Sequence, residues 1–359
     1  MEDEKILEIL LDWNFWEKEP FTGINRENYT DFLKPFLDTN QAIAITGVRR
    51  SGKSTIMLQL AKQAMPQVKP ENILVVNLED YRFHDFSLSL LNQIYELFER
   101  KISGEGQKIV FLDEIHKIVG WEKFVRTILD LKDARVVVSG SNSKLISEQY
   151  ASLLTGRHIN AEIMPLSFRE LLKFKDIDYS KETKIISKKQ EIKEYVDNYL
   201  EYGGFPEVVN SPQRTRNKIL ADYFDSIITK DISERHNIRK KEKLKSLARF
   251  YLTNISNTIT FNSTAGNLDI PLGTVERFSH YLEQSFLLSF VKRFSFKVKE
   301  QENAPRKVYS VDTGLSNTIG FKFSKDKGKV MENTVLNLKR ETRRERKRFI
   351  IGRIIVGRK

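Results

Sequence analysis

An apolar run, Gln41–Thr46, leads into Gly47-Val48-Arg49-Arg50-Ser51-Gly52-Lys53-Ser54, and a helical stretch, Ser54–Ala64, follows. This strand–loop–helix unit constrains the fold more than any other feature. The loop's backbone N–H groups converge only where a buried strand enters it and a helix leaves it. Gly47 and Gly52 let the backbone curl inward. With the positive end of the following helix, the loop then cradles phosphate oxygens. The pattern assigns Gly47, Val48, Arg49, Arg50, Ser51, Gly52, Lys53, Ser54 and Thr55 to a bound nucleotide. Lys53 is expected to reach the β- and γ-phosphates and the Ser54 hydroxyl to meet Mg2+. The ligands implied are ATP and Mg2+. Arg49 and Arg50 have two readings: steering the nucleotide, or pairing with acids nearby.

Strand and helix patterns alternate after residue 41. Strands are expected at Asn72–Leu78, Lys108–Leu112, Arg135–Ser139 and His158–Met164, and helices at His84–Lys101, Trp121–Lys132 and near Lys144–Leu154. Continuous apolar strands alternating with helices predict an α/β fold, a parallel sheet covered on both faces. The third strand ends Phe111-Leu112-Asp113-Glu114. Asp113 is expected to hold Mg2+ through water, and Glu114 to polarise the attacking water. The paired acids point to hydrolysis rather than transfer to a metabolite. At the fourth strand end, Ser141 or Asn142 either senses the γ-phosphate or caps a helix. Arg157, in Thr155-Gly156-Arg157, either stabilises developing charge or makes a surface ion pair.

Residues 1–40 read as a helical lead-in. Its Trp13, Phe15, Trp16 and Phe21 are expected to dock on the main domain, or to meet a nucleotide base. Residues 41–175 form the ATPase core and 176–240 a helical lid or linker. There Tyr202-Gly203-Gly204-Phe205-Pro206 is a tight turn, Lys173–Lys193 is loop-like at first, and Asn217–Phe250 reads as one long helix. In 241–312, helices at Lys243–Ser256, Asn262–Leu268 and Thr274–Glu283 precede strands at Phe286–Phe296 and Lys307–Val311, a winged-helix pattern.

The 359 residues carry a net charge of +12. Lys339–Lys359 alone holds ten Lys or Arg against two Glu, so the basic character sits mostly in this tail. With no cysteine, disulfides and thiolate chemistry are excluded. His84, His116, His158, His236 and His280 show no metal-ligand spacing. No apolar run reaches membrane-span length, and the expected location is cytoplasmic, with no membrane partner.

GVRRSGKST, VFLDEIHKIVGWEKFVR, SGSNSKL, TGRH, PLSFREL, YGGFPEVV and VDTGL stand in one order along the chain. In that order they resemble an archaeal and bacterial family of AAA+-type P-loop ATPases with a C-terminal winged-helix and nuclease-like domain of unknown function. The resemblance runs from about Leu11 to about Lys339. It implies an ASCE-type sheet, Glu114 as catalytic base, a winged helix after the core, and a nuclease-like segment whose first helix carries Glu332. The strands that should follow Glu332 are missing, and 313–359 reads as a truncated segment with an aberrant basic tail. Phe349–Lys359, shifted by one nucleotide, can encode IYYWKDNSGK, so a frameshift is the expectation.

Two functions follow from different classes. One is a Mg2+-dependent ATPase coupled to DNA binding or remodelling, with double-stranded DNA met by Arg277 and His280 and by Lys292, Arg293, Lys297 and Lys299. The other is an ATP-controlled switch governing a homo-oligomer or a protein partner.

Overall fold

Ala42–Thr46 (β1), Ile73–Asn77 (β2), Lys108–Asp113 (β3), Ala134–Gly140 (β4) and His158–Glu162 (β5) form a parallel sheet in the order β2-β3-β4-β1-β5. The computed structural model describes residues 1–142, 158–293, 296, 304–321 and 326–345. Side chains alternate between the faces of a strand, and both faces here are apolar. Ala44, Val76, Val110, Leu112, Val136 and Val138 pack on one side. Ile43, Ile45, Val75, Ile109, Phe111 and Val137 pack on the other. Helices Leu88–Lys101 (α4) and Trp121–Leu131 (α5) cover the first face. Helix Lys53–Ala64 (α3) covers the second. Because β4 lies between β3 and β1, the carboxyl ends of these three strands are neighbours. Open α/β sheets place their ligands at such ends.

The lead-in contributes helices Asp3–Trp13 (α1) and Glu27–Leu33 (α2). Ile6, Ile9 and Leu10 enter one core face, while Phe15, Tyr29 and Leu33 enter the other. Asn14 meets the outer edge of β2. Its amide donates to the Val75 carbonyl at 2.8 Å and accepts from the Val75 N–H at 2.6 Å. Trp16 Nε1 donates to the Ile73 carbonyl at 2.9 Å on the same edge. Trp13, Phe15 and Trp16 are thus packed, whereas Phe21 is 91% exposed.

The chain divides into two units. One comprises Met1–Gly47 and Gly52–Ile163, the other Val48–Ser51 and Met164–Lys359. The second unit is helical with a small antiparallel sheet. Its helices include Phe168–Phe174 (α6), Lys189–Tyr202 (α7) and Gln213–Ser226 (α8). Then come Lys241–Thr253 (α9), Phe261–Leu268 (α10) and Leu272–Gln284 (α11). Thr258–Ile259 (β6), Leu288–Lys292 (β7) and Arg306–Ser310 (β8) form a sheet in the order β6-β8-β7. Helices Thr313–Ile319 (α12) and Lys327–Glu345 (α13) follow. The three expected helices and the hairpin are present at α9–α11 and β7–β8, and the short β6 is an addition.

One expectation needs correction. Asn217–Phe250 is not one helix. After α8 the chain widens into a π-helical stretch, Ile227–Glu234, and leaves helical geometry before α9 begins at Lys241. Asn237 has φ 50°, a left-handed conformation that ends a helix. Lys173–Lys193, loop-like at first, is non-helical over 175–181 and then carries a short helix at Glu182–Ser187 and the start of α7.

The Gly203-Gly204 turn is built around Asp312. The Asp312 carboxylate accepts from the N–H of Gly204 at 2.7 Å, Gly314 at 2.8 Å and Leu315 at 3.3 Å, capping α12. A Cβ on Gly203 would lie 1.9 Å from Asp312 Oδ1, and one on Gly204 2.1 Å from the Leu166 carbonyl. Both glycines are therefore required by close approach.

Candidate nucleotide site

The loop after β1 needs unusual backbone angles. Gly47 has φ 142°, Arg50 68° and Gly52 98°. A Cβ on Gly47 would lie 2.2 Å from the Ile163 carbonyl, so only glycine fits. Gly52 hands the chain to α3, whose first residue is Lys53. Helix N-termini leave N–H groups free to meet anions. Lys53 is buried, and its Nζ donates to the Gly47 carbonyl at 3.2 Å and lies 3.6 Å from Glu114 Oε1.

Asp113 and Glu114 close β3, and both are buried. Ser54 is exposed at the start of α3, and its hydroxyl acts on the Asp113 carboxyl. Burial pushes the Asp113 carboxyl well above the usual carboxylate range, and the neighbouring Glu114 adds to this. Hydrogen bonds from Ser139 and Ser54, and the Lys53 charge, pull the other way. Glu114 has φ 54°, a left-handed backbone that a non-glycine residue adopts at a cost of about 1–3 kcal/mol. The Ser141 N–H donates to Glu114 Oε2 at 3.3 Å, and His116 Nδ1 lies 3.2 Å from the same oxygen. The strained backbone thus turns the carboxylate toward Lys53 and the end of β4.

Ser139 was not singled out from the sequence. Its hydroxyl donates to Asp113 and accepts from the Glu114 N–H at 2.9 Å, so it fixes both acids at once. The one available signal was its place as the last polar residue of a strand neighbouring β3. Ser141 and Asn142 are buried at the end of β4, and Ser141 holds Glu114 through its main chain. Thr55 is half-buried one residue past Ser54.

Arg49 and Arg50 do not act alike. The Arg49 guanidinium grips Asp231, in the π-helical stretch, with Nε 3.1 Å from Oδ2 and Nη2 3.1 Å from Oδ1. Its reading as a partner of nearby acids is the one this geometry matches. Arg50 lies over the Tyr223 ring at 5.8 Å. Val48 packs into the core of the second unit, and the Ser51 N–H donates to the Val48 carbonyl at 3.2 Å. Arg157, and the helix expected near Lys144–Leu154, lie outside the described residues, as do Lys297, Lys299 and the tail beyond Glu345.

The donor set suits Mg2+ with a polyphosphate. Among the described residues no group of three or more His, Cys, Asp or Glu is placed to hold a metal alone. A hydroxyl beside one carboxylate instead matches an ion that completes its shell with water and phosphate oxygens.

A β2-β3-β4-β1-β5 sheet, a glycine loop at the end of β1 and paired acids at the end of β3 define a P-loop nucleotide-binding domain of the AAA class. The family profile described as AAA domain matches residues 39–172, and that described as Domain of unknown function (DUF8612) matches residues 193–326. Uncharacterized protein MJ1544 of Methanocaldococcus jannaschii is 32% identical over 349 residues, covering 95% of this chain and 75% of that protein. The chain belongs to this family. An uncharacterized protein of Haemophilus influenzae is 32% identical over 299 residues, covering 81% of this chain and 72% of its own length. Among solved structures, Cdc6p of Pyrobaculum aerophilum aligns over 94% of this chain and 99% of its own, at 12% identity and a TM-score of 0.36. No helix among the described residues is long and apolar enough to cross a membrane.

Proposed function

We propose that the protein is a Mg2+-dependent ATPase. The observation that carries this reading is the arrangement of Ser54, Asp113 and Glu114. The Ser54 hydroxyl acts on the Asp113 carboxylate, while Glu114 is held separately by the Ser141 N–H. Ser54 and Asp113 would hold Mg2+, which supplies charge neutralisation for the triphosphate. The loop N–H groups and Lys53 bind and orient the phosphates. Glu114 takes the proton of the attacking water, a task that needs its carboxylate free of the metal. Ser139 sets the angle between the two acids. Lys53 Nζ lies 3.6 Å from Glu114 Oε1, beside the place where the γ-phosphate would sit.

Phe21 supplies a base platform. Gln59 of α3 donates to the carbonyls of Thr22 at 2.7 Å and Ile24 at 2.8 Å, pinning this segment to the phosphate-binding helix. Both Thr55 and the Phe21 ring flank Gly23. An exposed ring fixed beside that helix suits stacking on adenine.

The test is phosphate release by wild type and Glu114→Gln. Turnover is expected to fall at least ~100-fold, with ATP still bound, because general-base catalysis contributes about that much. Unchanged turnover would falsify the assignment of the base. Phe21→Ala is expected to raise the KM for ATP about 5-fold at constant kcat. An unchanged KM removes the ring from the site.

A further inference from the structure

The second unit contains a cleft of about 460 Å³ between the segment preceding α9 and the first turns of α11. His236, Arg239, Lys240, Lys243, Arg277 and Tyr281 are among its lining residues, and no carboxylate lines it. Arg239, Lys240, Lys243 and Arg277 are exposed. None of the four forms an ion pair with a carboxylate among the described residues. Lys243 reaches only the Asp269 carbonyl, at 3.5 Å, and Arg277 only the face of Phe278, at 5.7 Å. Some other basic side chains of this unit have acidic partners, as in Lys218–Asp222 and Lys245–Asp225. Four cations on one concave surface repel one another unless an anion joins them. One wall is rigid, because the His236 and Tyr281 rings stack at 3.7 Å and 8°.

Exposure decides the class of anion. A single small anion meeting solvated cations is screened by water and salt. A chain of phosphates engages several cations at once and gains from counterion release at each. We propose that this cleft is a nucleic-acid backbone site, in which Arg239, Lys240, Lys243 and Arg277 hold consecutive phosphates of DNA. Thr274 and Asn237, also in the lining, add neutral donors. The site shares Arg277 with the one expected on the outward face of α11, but not His280. There His280 is engaged by Gln284 at 2.8 Å, and Glu283 accepts from the Phe290 N–H at 3.1 Å. The inference does not depend on the nucleotide site.

The test uses the full chain and fluorescence anisotropy with labelled duplex and single-stranded DNA of one sequence, from 50 to 300 mM salt. The variants are Arg239→Ala/Lys240→Ala/Lys243→Ala, Arg277→Ala and, as control, Lys218→Ala. The triple variant is expected to bind at least ~30-fold more weakly near 100 mM salt, with a salt slope shallower by about 3, one per lost phosphate contact. Arg277→Ala is expected to cost about 5-fold and the control less than about 2-fold. ATP turnover without DNA should stay at the wild-type level in all three, which shows that they fold. Loss in either strand form supports the site, and the form bound more tightly identifies its natural ligand. Wild-type affinity and slope in the triple variant overturn it. So does an absence of DNA binding accompanied by binding of inorganic tripolyphosphate at the same residues.

Discussion

Gly47 shows how narrowly one residue is fixed by its surroundings. Its φ of 142° and the 2.2 Å approach to the Ile163 carbonyl both exclude a side chain. Gly47→Ala is expected to cost at least ~2 kcal/mol by urea unfolding and to abolish ATP binding by calorimetry. Asp312 carries a prediction in pH. Burial raises its carboxyl to about 6, against three backbone N–H donors that pull it down. The folded state therefore binds a proton more readily than the unfolded chain, whose value is 3.8. Stability from this group falls as pH rises from about 4 to about 6, by up to ~3 kcal/mol. Asp312→Asn should be less stable throughout but lack that slope, and parallel slopes for the two proteins would reject the raised carboxyl. At this scale the glycine loop and the acid pair were legible because their chemistry admits few residue types. Ser139 was not, since a serine at a strand end looks the same whether or not it bridges two acids.

Among the elements, the strands of the parallel sheet were legible to within a residue or two, because a buried parallel strand reads as a continuous apolar run. The break between α8 and α9 was not. The stretch is rich in charge and contains neither Gly nor Pro, and Asn237 alone marks the turn. The π-helical geometry depends on a partner remote in sequence, since its Asp231 is buried against Arg49. Asp231→Ala removes a bidentate partner from a nearly buried guanidinium and is expected to cost about 2–4 kcal/mol. Arg49→Met/Asp231→Leu should recover most of that in the same unfolding assay. Equal losses in Asp231→Ala and the double variant would mean that the stranded guanidinium is not the cause of the loss. Helix α13 is tied to β8 by Asn333, which accepts from the Ser310 N–H at 2.8 Å and donates to its carbonyl at 2.9 Å. Glu332, read from the sequence as the mark of a nuclease-like helix, accepts here from Tyr309 at 2.7 Å and Lys307 at 2.8 Å.

For the whole molecule, ligand binding should appear as stability. With Mg2+ and ATP at a hundred times Kd, the unfolding free energy is expected to rise by about 2.7 kcal/mol, and to rise further with the logarithm of ATP. A melting temperature indifferent to ATP would contradict the nucleotide site. The α/β architecture was legible because strand and helix periods alternate so regularly. The division that assigns Val48–Ser51 to the second unit was not, since it follows from tertiary packing alone. The overall charge was a poor guide: the cations of the cleft are few, and the tail outweighs them.

The amide of Asn14 has a consequence beyond its own chain. By occupying the outward N–H and carbonyl of Val75 it takes the place another strand would take. An open β-edge is a template on which a second copy can extend the sheet. Without that amide, at high concentration, molecules of this protein would be expected to recruit one another edge to edge. One asparagine in the lead-in thus bears on whether the protein stays dispersed or grows into ribbons.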